Sequence, residues 1–417
     1  MSAEPPVDPD SAPIRAVLDE VLRVAGRGAS GQVADYIPEL ARADPDAFGI
    51  ALTSTLGHLY SAGDSAQAFT IQSVSKPFVY ALAISDLGLD AVLEHVGVEP
   101  SGEPFNAISL DHRGRPANPM INAGAIVTSA LVDGPDPDAR FSRIHATLSG
   151  FAGRELSVDE AVYASESETG HRNRALGHLT LASGVLPRGV DDATSVYFRQ
   201  CAVLVTATDL AVMGATLASG GINPVTGQRV VAEVVARDTL SVMQTCGMYD
   251  SSGSWAFRVG IPAKSGVGGG IVAVKPGQYG IGVFSPRLDE VGNSSHGVAA
   301  LEVLSERFGL HLFSQPRHPA SSIQSMTLED NGARLHVVLR GELYFVTVEE
   351  FDYAIRDIVR RQEGGVCVLD LDLSATTRAS TVADQLLRAT FGLLSQQGIA
   401  VEVRDPSQVL SFPTNLG

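Results

Sequence analysis

Cysteine is scarce. The chain has three in 417 residues, Cys201, Cys246 and Cys367. None stands in a CxxC spacing or beside a His-rich stretch, which argues against a disulfide framework or a zinc site and fits a reducing compartment. Neither a metal nor a cofactor is expected. Long apolar runs are also missing: none approaches the ~20 residues of a membrane span, so no membrane partner is expected. Positive charge is the third deficit. Lys and Arg number 30 against 47 Asp and Glu, a net charge of −17. With no local basic cluster, such a chain repels a phosphate backbone, and nucleic acid is not an expected partner. The N-terminus, Met-Ser-Ala-Glu-Pro-Pro-Val-Asp-Pro-Asp, is acidic and proline-bearing where a signal peptide would be basic and then apolar. A cytoplasmic location is the expectation.

What is present is a globular composition, 44% hydrophobic and 18% charged, on a chain too long for one comfortable core. Residues 1–12 read as a solvated tail. From Ile14 the apolar positions follow helical spacing, and Phe48–Thr53 and Gly57–Ser61 look β-like. Gln72–Pro77 leads into a helix, because Pro77 is tolerated only in a first turn. Residues 119–219 read as mostly helical. Trp255–Val259, Gly270–Val274 and Tyr279–Phe284 read as strands, and Ser295–Phe308 as a last helix. This pattern predicts an α+β domain over 13–313 whose two ends share one sheet. A polar, proline-bearing linker over 314–321 follows. Residues 322–417 then form a small α/β domain: a strand pair at Leu335–Leu339 and Leu343–Val346, a helix through Phe351–Val359, a strand at Val366–Leu373, a helix through Leu386–Leu394 and a strand at Ile399–Val403.

Two short motifs carry chemistry. Ser73-Val74-Ser75-Lys76 is an S-x-x-K, whose i and i+3 side chains share a helix face, so a desolvated Lys amine can take the Ser proton. Alone, this pattern occurs by chance in most long chains. Lys264-Ser265-Gly266, followed by Val267-Gly268-Gly269-Gly270, resembles the K-[ST]-G element that accompanies S-x-x-K in penicillin-recognising enzymes. A glycine-rich hairpin with a solvated lysine is its plain alternative.

Around these motifs the chain resembles the serine-dependent glutaminases of the β-lactamase-like superfamily. The matching segments are Ala34–Leu40, Gln72–Pro77, Gly97–Gly102, Asn118–Ile126, Ser165-Glu166 with Arg172-Asn173, Cys246–Asp250 and Pro262–Val267. They stand in the family's order and cover about Gly31–Ser305. The resemblance implies hydrolysis of L-glutamine to L-glutamate and ammonia by a homo-oligomer, dimer or tetramer. It makes Ser73 the nucleophile, Lys76 its base, Tyr249 a proton shuttle and Lys264 a supporting charge. The backbone N–H groups of Ser73 and Val267 would form the oxyanion hole, and Tyr36, Asn122, Glu166, Asn173 and Tyr197 would hold the substrate's α-amino and α-carboxylate groups. A zwitterion needs such a set: Glu166 for the ammonium, neutral Asn and Tyr donors for the carboxylate. Without the resemblance, Tyr36 and Tyr197 could be core tyrosines, Asn122 a turn residue, and Glu166 and Asn173 solvated helix faces. Cys201 reads as a small buried apolar residue.

The last domain's order of elements resembles the sulfate-transporter and anti-sigma-antagonist (STAS) domain. Its strand would end at Asp372-Leu373-Ser374, and the loop Ser380-Thr381-Val382-Ala383 would offer Thr381 for phosphorylation. The Asp and Gly of the usual Asp-Ser-Ser-Gly are missing. A regulatory protein partner or a plain docking module are both open for this domain. Other functions compatible with the motifs are another S-x-x-K hydrolase, acting on β-lactams or peptide amides, and a non-catalytic amino-acid-binding switch.

Overall fold

The computed structural model describes residues 12–27, 30–102, 109–314, 321–362 and 365–412. Of the expected tail and linker, residues 1–11 and 315–320 lie outside that set. Two compact units divide at Ser314/Gln315.

The first unit is built on a five-stranded antiparallel sheet in the order Leu59–Gly63, Gly49–Ser54, Tyr279–Phe284, Gly270–Lys275, Ala263–Ser265. Strands from the two ends of the unit thus meet in one sheet, Gly49 opposite Phe284 and Thr53 opposite Gly280. Gly270–Lys275 reads as a continuous apolar run because both of its faces are buried. Ile271 and Ala273 pack under the helices Ala12–Ala25 and Ser295–Phe308, whereas Val272 and Val274 pack with Leu210, Met213 and Leu217 of the helix Ala207–Ala218. Most of the remaining helices form a mainly helical half that shares this second core. Among the described residues no helix is long and apolar enough to cross a membrane.

Trp255–Val259 is not a strand. It belongs to the helix Ser252–Arg258 and the residue that follows it. Strand alternation would bury Trp255, Phe257 and Val259 together, yet Phe257 is 84% exposed while Trp255 and Val259, four residues apart, are buried. A short apolar run cannot distinguish the two periods by itself.

The second unit has a four-stranded sheet in the order Ala400–Arg404, Val368–Ala379, Arg334–Leu343, Ile323–Glu329. The helices Phe345–Arg361 and Thr381–Gln396 supply Phe351, Ile355, Leu387 and Phe391 to its core. The expected pair 335–339 and 343–346 is in fact one strand, Arg334–Leu343, and its antiparallel partner is Ile323–Glu329. Gly341, at φ 72°, marks an irregularity within that strand, where the register with its parallel neighbour shifts, and the helix already begins at Phe345. Nor does the strand through Asp372 end at Ser374. Parallel pairing carries it to Ala379, opposite Leu343, so Ser380 caps the next helix directly and no four-residue loop separates them.

Candidate active site

The Ser73 turn is held by a small three-stranded sheet. Phe69–Thr70 pairs with Val203–Val205, and Ile71 N–H donates to the Val203 carbonyl at 2.8 Å. A single 3-10 turn, Gln72–Ser75, then opens into the helix Lys76–Leu87. Nine of that helix's twelve residues are buried, Lys76 among them, as expected for a helix apolar on all sides. Ser75 Oγ donates to the Gln72 carbonyl at 2.7 Å and accepts from Gln200 Nε2 at 2.9 Å, and Gln200 Oε1 accepts from Ser129 Oγ at 2.9 Å. This buried chain ties the turn to two neighbouring helices.

The glycine-rich segment packs on the turn from the other side. Ala263–Ser265, which carries the start of the K-S-G element, is the edge strand of the large sheet. A Cβ on Gly266 would come within 2.9 Å of Val74 Cγ2 and 3.2 Å of the Ile71 carbonyl. Only glycine lets the segment bearing Val267 approach Ser73 so closely.

Lys76 is completely buried. Its Nζ donates to Asn122 Oδ1 at 2.7 Å and to the Met120 carbonyl at 3.3 Å. Burial lowers its pKa to about 7, opposed only by Cys201. A neutral amine has two N–H groups and one lone pair; two oxygens take the N–H groups, and the lone pair remains to receive a proton. The Asn118–Asn122 turn sets this up. Asn118 Oδ1 accepts from Met120 N–H at 3.0 Å, and a Cβ on Gly124 would lie 2.0 Å from the Asn118 carbonyl, which is why Asn-Ala-Gly stands here.

The Ser73 hydroxyl is hydrogen-bonded to Tyr249, whose own pKa burial raises. Tyr249 Oη also donates to the Ser265 carbonyl at 3.0 Å. Tyr249 and Gln72 both have left-handed backbones, φ 54° and 47°. A non-glycine residue so held costs about 1–3 kcal/mol, a strain that clusters at functional sites.

Lys264 packs against the Tyr249 ring. It is fully buried, its Nζ lies 4.1 Å from the Tyr249 ring centroid, and it donates to the carbonyls of Gly247 at 3.1 Å and Ser265 at 2.5 Å. Ring contact favours the ammonium, but burial and nearby Lys76 push its pKa well below the usual lysine value. Lys264 thereby holds the Tyr249 ring and the Ser265 carbonyl in place.

Ser73 opens on a cavity of about 360 Å³. Tyr36, Asn122, Glu166, Asn173, Tyr197 and Val267, all expected around the substrate, line it. Glu166 is 6% exposed, and Tyr36, half exposed as a residue, turns its hydroxyl in to Glu166 Oε1 at 2.8 Å. Burial raises the Glu166 pKa against hydrogen bonds from Tyr36 and Gln72. Asn122 is the hub on the other side. Its Nδ2 donates to Asn173 Oδ1 at 3.0 Å, and its Oδ1 accepts from Tyr197 Oη at 3.3 Å as well as from Lys76. Gln72, Thr169, Gly170, Arg172 and Cys201 also line the cavity without having been anticipated there. Gln72 adjoins the S-x-x-K, but its left-handed backbone leaves no trace in composition. The Cys201 thiol, pushed up to about 12 chiefly by burial, is an inert wall. Thr381 stands at the first turn of its helix in the second unit.

Comparison with known proteins agrees with this geometry. The family model described as Glutaminase matches residues 31–313. The chain is 55% identical over 317 residues to Glutaminase 2 of Bradyrhizobium diazoefficiens, covering 76% of this chain and 51% of the relative. The chain therefore spans about half the length of that protein, and likewise 49% of Glutaminase 1 from the same organism, at 53% identity. Glutaminase of Corynebacterium glutamicum is 43% identical over 400 residues, 95% of each chain. Among solved structures, Mglu in its glutamate form superposes with a TM-score of 0.87 at 41% identity, covering 95% of this chain and 99% of Mglu. The probable glutaminase ybaS superposes with a TM-score of 0.71 at 39% identity, covering 74% and 100%. With its family match across two thirds of its length and relatives alike over nearly all of it, the chain belongs to the glutaminase family.

Proposed function

We propose that the chain hydrolyses L-glutamine to L-glutamate and ammonia through a γ-glutamyl ester on Ser73, on a β-lactamase-like framework. The observation that carries this is the buried Lys76 amine, poised near pKa 7 with both N–H groups engaged, one turn from a serine bonded to Tyr249. Lys76 takes the Ser73 proton as Oγ attacks the γ-carbonyl. The backbone N–H groups of Ser73 and Val267 receive the oxyanion. Tyr249 passes a proton to the departing nitrogen, and water then cleaves the ester. Glu166 takes the substrate ammonium, while Tyr36, Asn122, Asn173 and Tyr197 serve the rest of the amino-acid group. The test is coupled release of ammonia and glutamate from glutamine, with asparagine, one methylene shorter, as the comparison. Release from neither would overturn the assignment.

Glu166→Gln is expected to raise KM for glutamine about ten- to a hundredfold, since a hydrogen bond to a charged group contributes about 1.5–3 kcal/mol. The substitution keeps an acceptor for the Tyr36 hydroxyl, so kcat changes less. Steady-state kinetics decide this; an unchanged KM would remove Glu166 from the substrate's contacts.

The second unit is assigned as a STAS-like domain on its order of strands and helices. Thr381 is exposed at a helix start, where a phosphate would be favoured by the helix dipole. A regulatory protein partner, assembly as a dimer or tetramer, and a cytoplasmic location, which the three free cysteines fit, complete the proposal. A chain ended at Ser314 is expected to stay folded and keep its glutaminase rate within about twofold, because each unit closes its own core. Kinetics and light scattering on the shortened and full chains check this. An insoluble or inactive short chain would make the second unit part of the enzyme.

A further inference from the structure

A second cavity, of about 430 Å³, borders Tyr249. Among the described residues it shares no lining residue with the cavity that holds Ser73 and Glu166. The reaction centre lies between the two. Tyr249 lines the second cavity and is hydrogen-bonded to Ser73, which lines the first. In the adjoining turn Met120 and Ile121 line the second cavity and Asn122 the first, and the Met120 carbonyl and Asn122 Oδ1 both hold Lys76.

Glutamine leaves this space unused. Its amino-acid group is served entirely from the first cavity, and departing ammonia needs about the 30 Å³ of one water molecule. The second cavity is more than tenfold larger, and Met120, Ile121 and Ala256 give it apolar walls. Space of that size and character, lined by the tyrosine assigned to protonate the leaving nitrogen, suits a leaving group with an apolar body.

We propose that this cavity is a leaving-group subsite, and that the chain also hydrolyses γ-glutamyl amides whose nitrogen carries a small apolar substituent. This rests on the glutaminase reading of Ser73. The Ser73 Oγ–carbon bond forms as the serine proton moves to Lys76. The carbon–nitrogen bond then breaks while Tyr249 gives its proton to the nitrogen and regains one from Lys76. The free amine departs through the second cavity. Water adds to the ester, Ser73 recovers its proton, and glutamate is released, so that one amide and one water give one glutamate and one amine.

The experiment compares glutamate release from L-glutamine and from γ-glutamyl-n-propylamide, using the full chain and the variants Gly253→Phe and Ala256→Phe. Of the two described cavities both residues line only the second, and at Gly253 a Cβ meets no atom within 4 Å. The full chain should turn over the propylamide with kcat/KM within about tenfold of glutamine. At least one variant should lose propylamide hydrolysis by about tenfold or more while keeping glutamine within about twofold. Glutamine hydrolysis with the propylamide more than about a hundredfold slower would overturn the subsite. So would variants that depress both substrates equally. A full chain inactive on glutamine itself would instead refute the glutaminase reading, and this inference with it.

Discussion

Replacing Ser73 with Ala should lower kcat for glutamine by at least about 10⁴-fold, because the remaining oxyanion donors and binding contacts cannot replace a covalent nucleophile. The fold should survive. The turn is held by main-chain bonds, Ile71 N–H to Val203 and Val74 N–H to Ile71, and by the Ser75–Gln200–Ser129 chain, none of which uses Ser73 Oγ. Tyr249, the partner of the lost hydroxyl, keeps its bond to the Ser265 carbonyl. The variant should therefore unfold near the wild-type temperature and still bind glutamate, which calorimetry can follow. A variant retaining more than about a tenth of the rate would place the nucleophile elsewhere.

Lys76→Met should be nearly as damaging, at about 10²–10⁴-fold in kcat, the range general-base catalysis supplies. Methionine fills the same slot without an amine, and what the structure loses is the bonds to Met120 and Asn122, about 1 kcal/mol each. The pH profile separates a base from a packing residue. Burial depresses the Lys76 pKa to about 7, and the base must be neutral, so wild-type kcat/KM should rise with pH through about 7 and then level off. In Lys76→Met that acidic limb should vanish from the residual rate. The same shift has a sign for stability. A lysine whose folded pKa lies below its unfolded value favours the folded state at high pH, above both values. That preference is lost as pH falls through the unfolded value towards the folded one, so Lys76 should weigh most heavily against folding below pH 7. An acidic limb that persists in Lys76→Met would assign the titration to another group.

How far these residues could be read in the sequence follows from how local their signals are. Ser73 and Lys76 stand three apart with Pro77 behind them, so the motif and its helix start were legible together. The sharing of one sheet by both ends of the enzyme unit was legible too, because the strands read apolar at each end. Trp255–Val259 was misread because five residues do not separate a period of two from one of 3.6, and Gly341 because a glycine within a long strand looks like a turn. The desolvated Lys76 amine was legible in the S-x-x-K, whereas the burial of Lys264 between two carbonyls and the Tyr249 ring was out of reach. The left-handed backbones of Gln72 and Tyr249, and the Met120 carbonyl that holds Lys76, are backbone features imposed by packing on residues that do not ordinarily adopt or advertise them. The second cavity is likewise assembled from segments around residues 100, 120 and 250 that share no motif.

The most direct measurement is to mix excess chain with L-glutamine, quench in acid during the first turnover, digest, and weigh the peptides. The expected result is a transient mass increase of one glutamyl group on the peptide bearing Ser73, decaying as free glutamate appears and absent from Ser73→Ala. A glutamyl group on any other residue, or an unmodified Ser73 peptide at every time while glutamate is still accumulating, would contradict a γ-glutamyl-serine route.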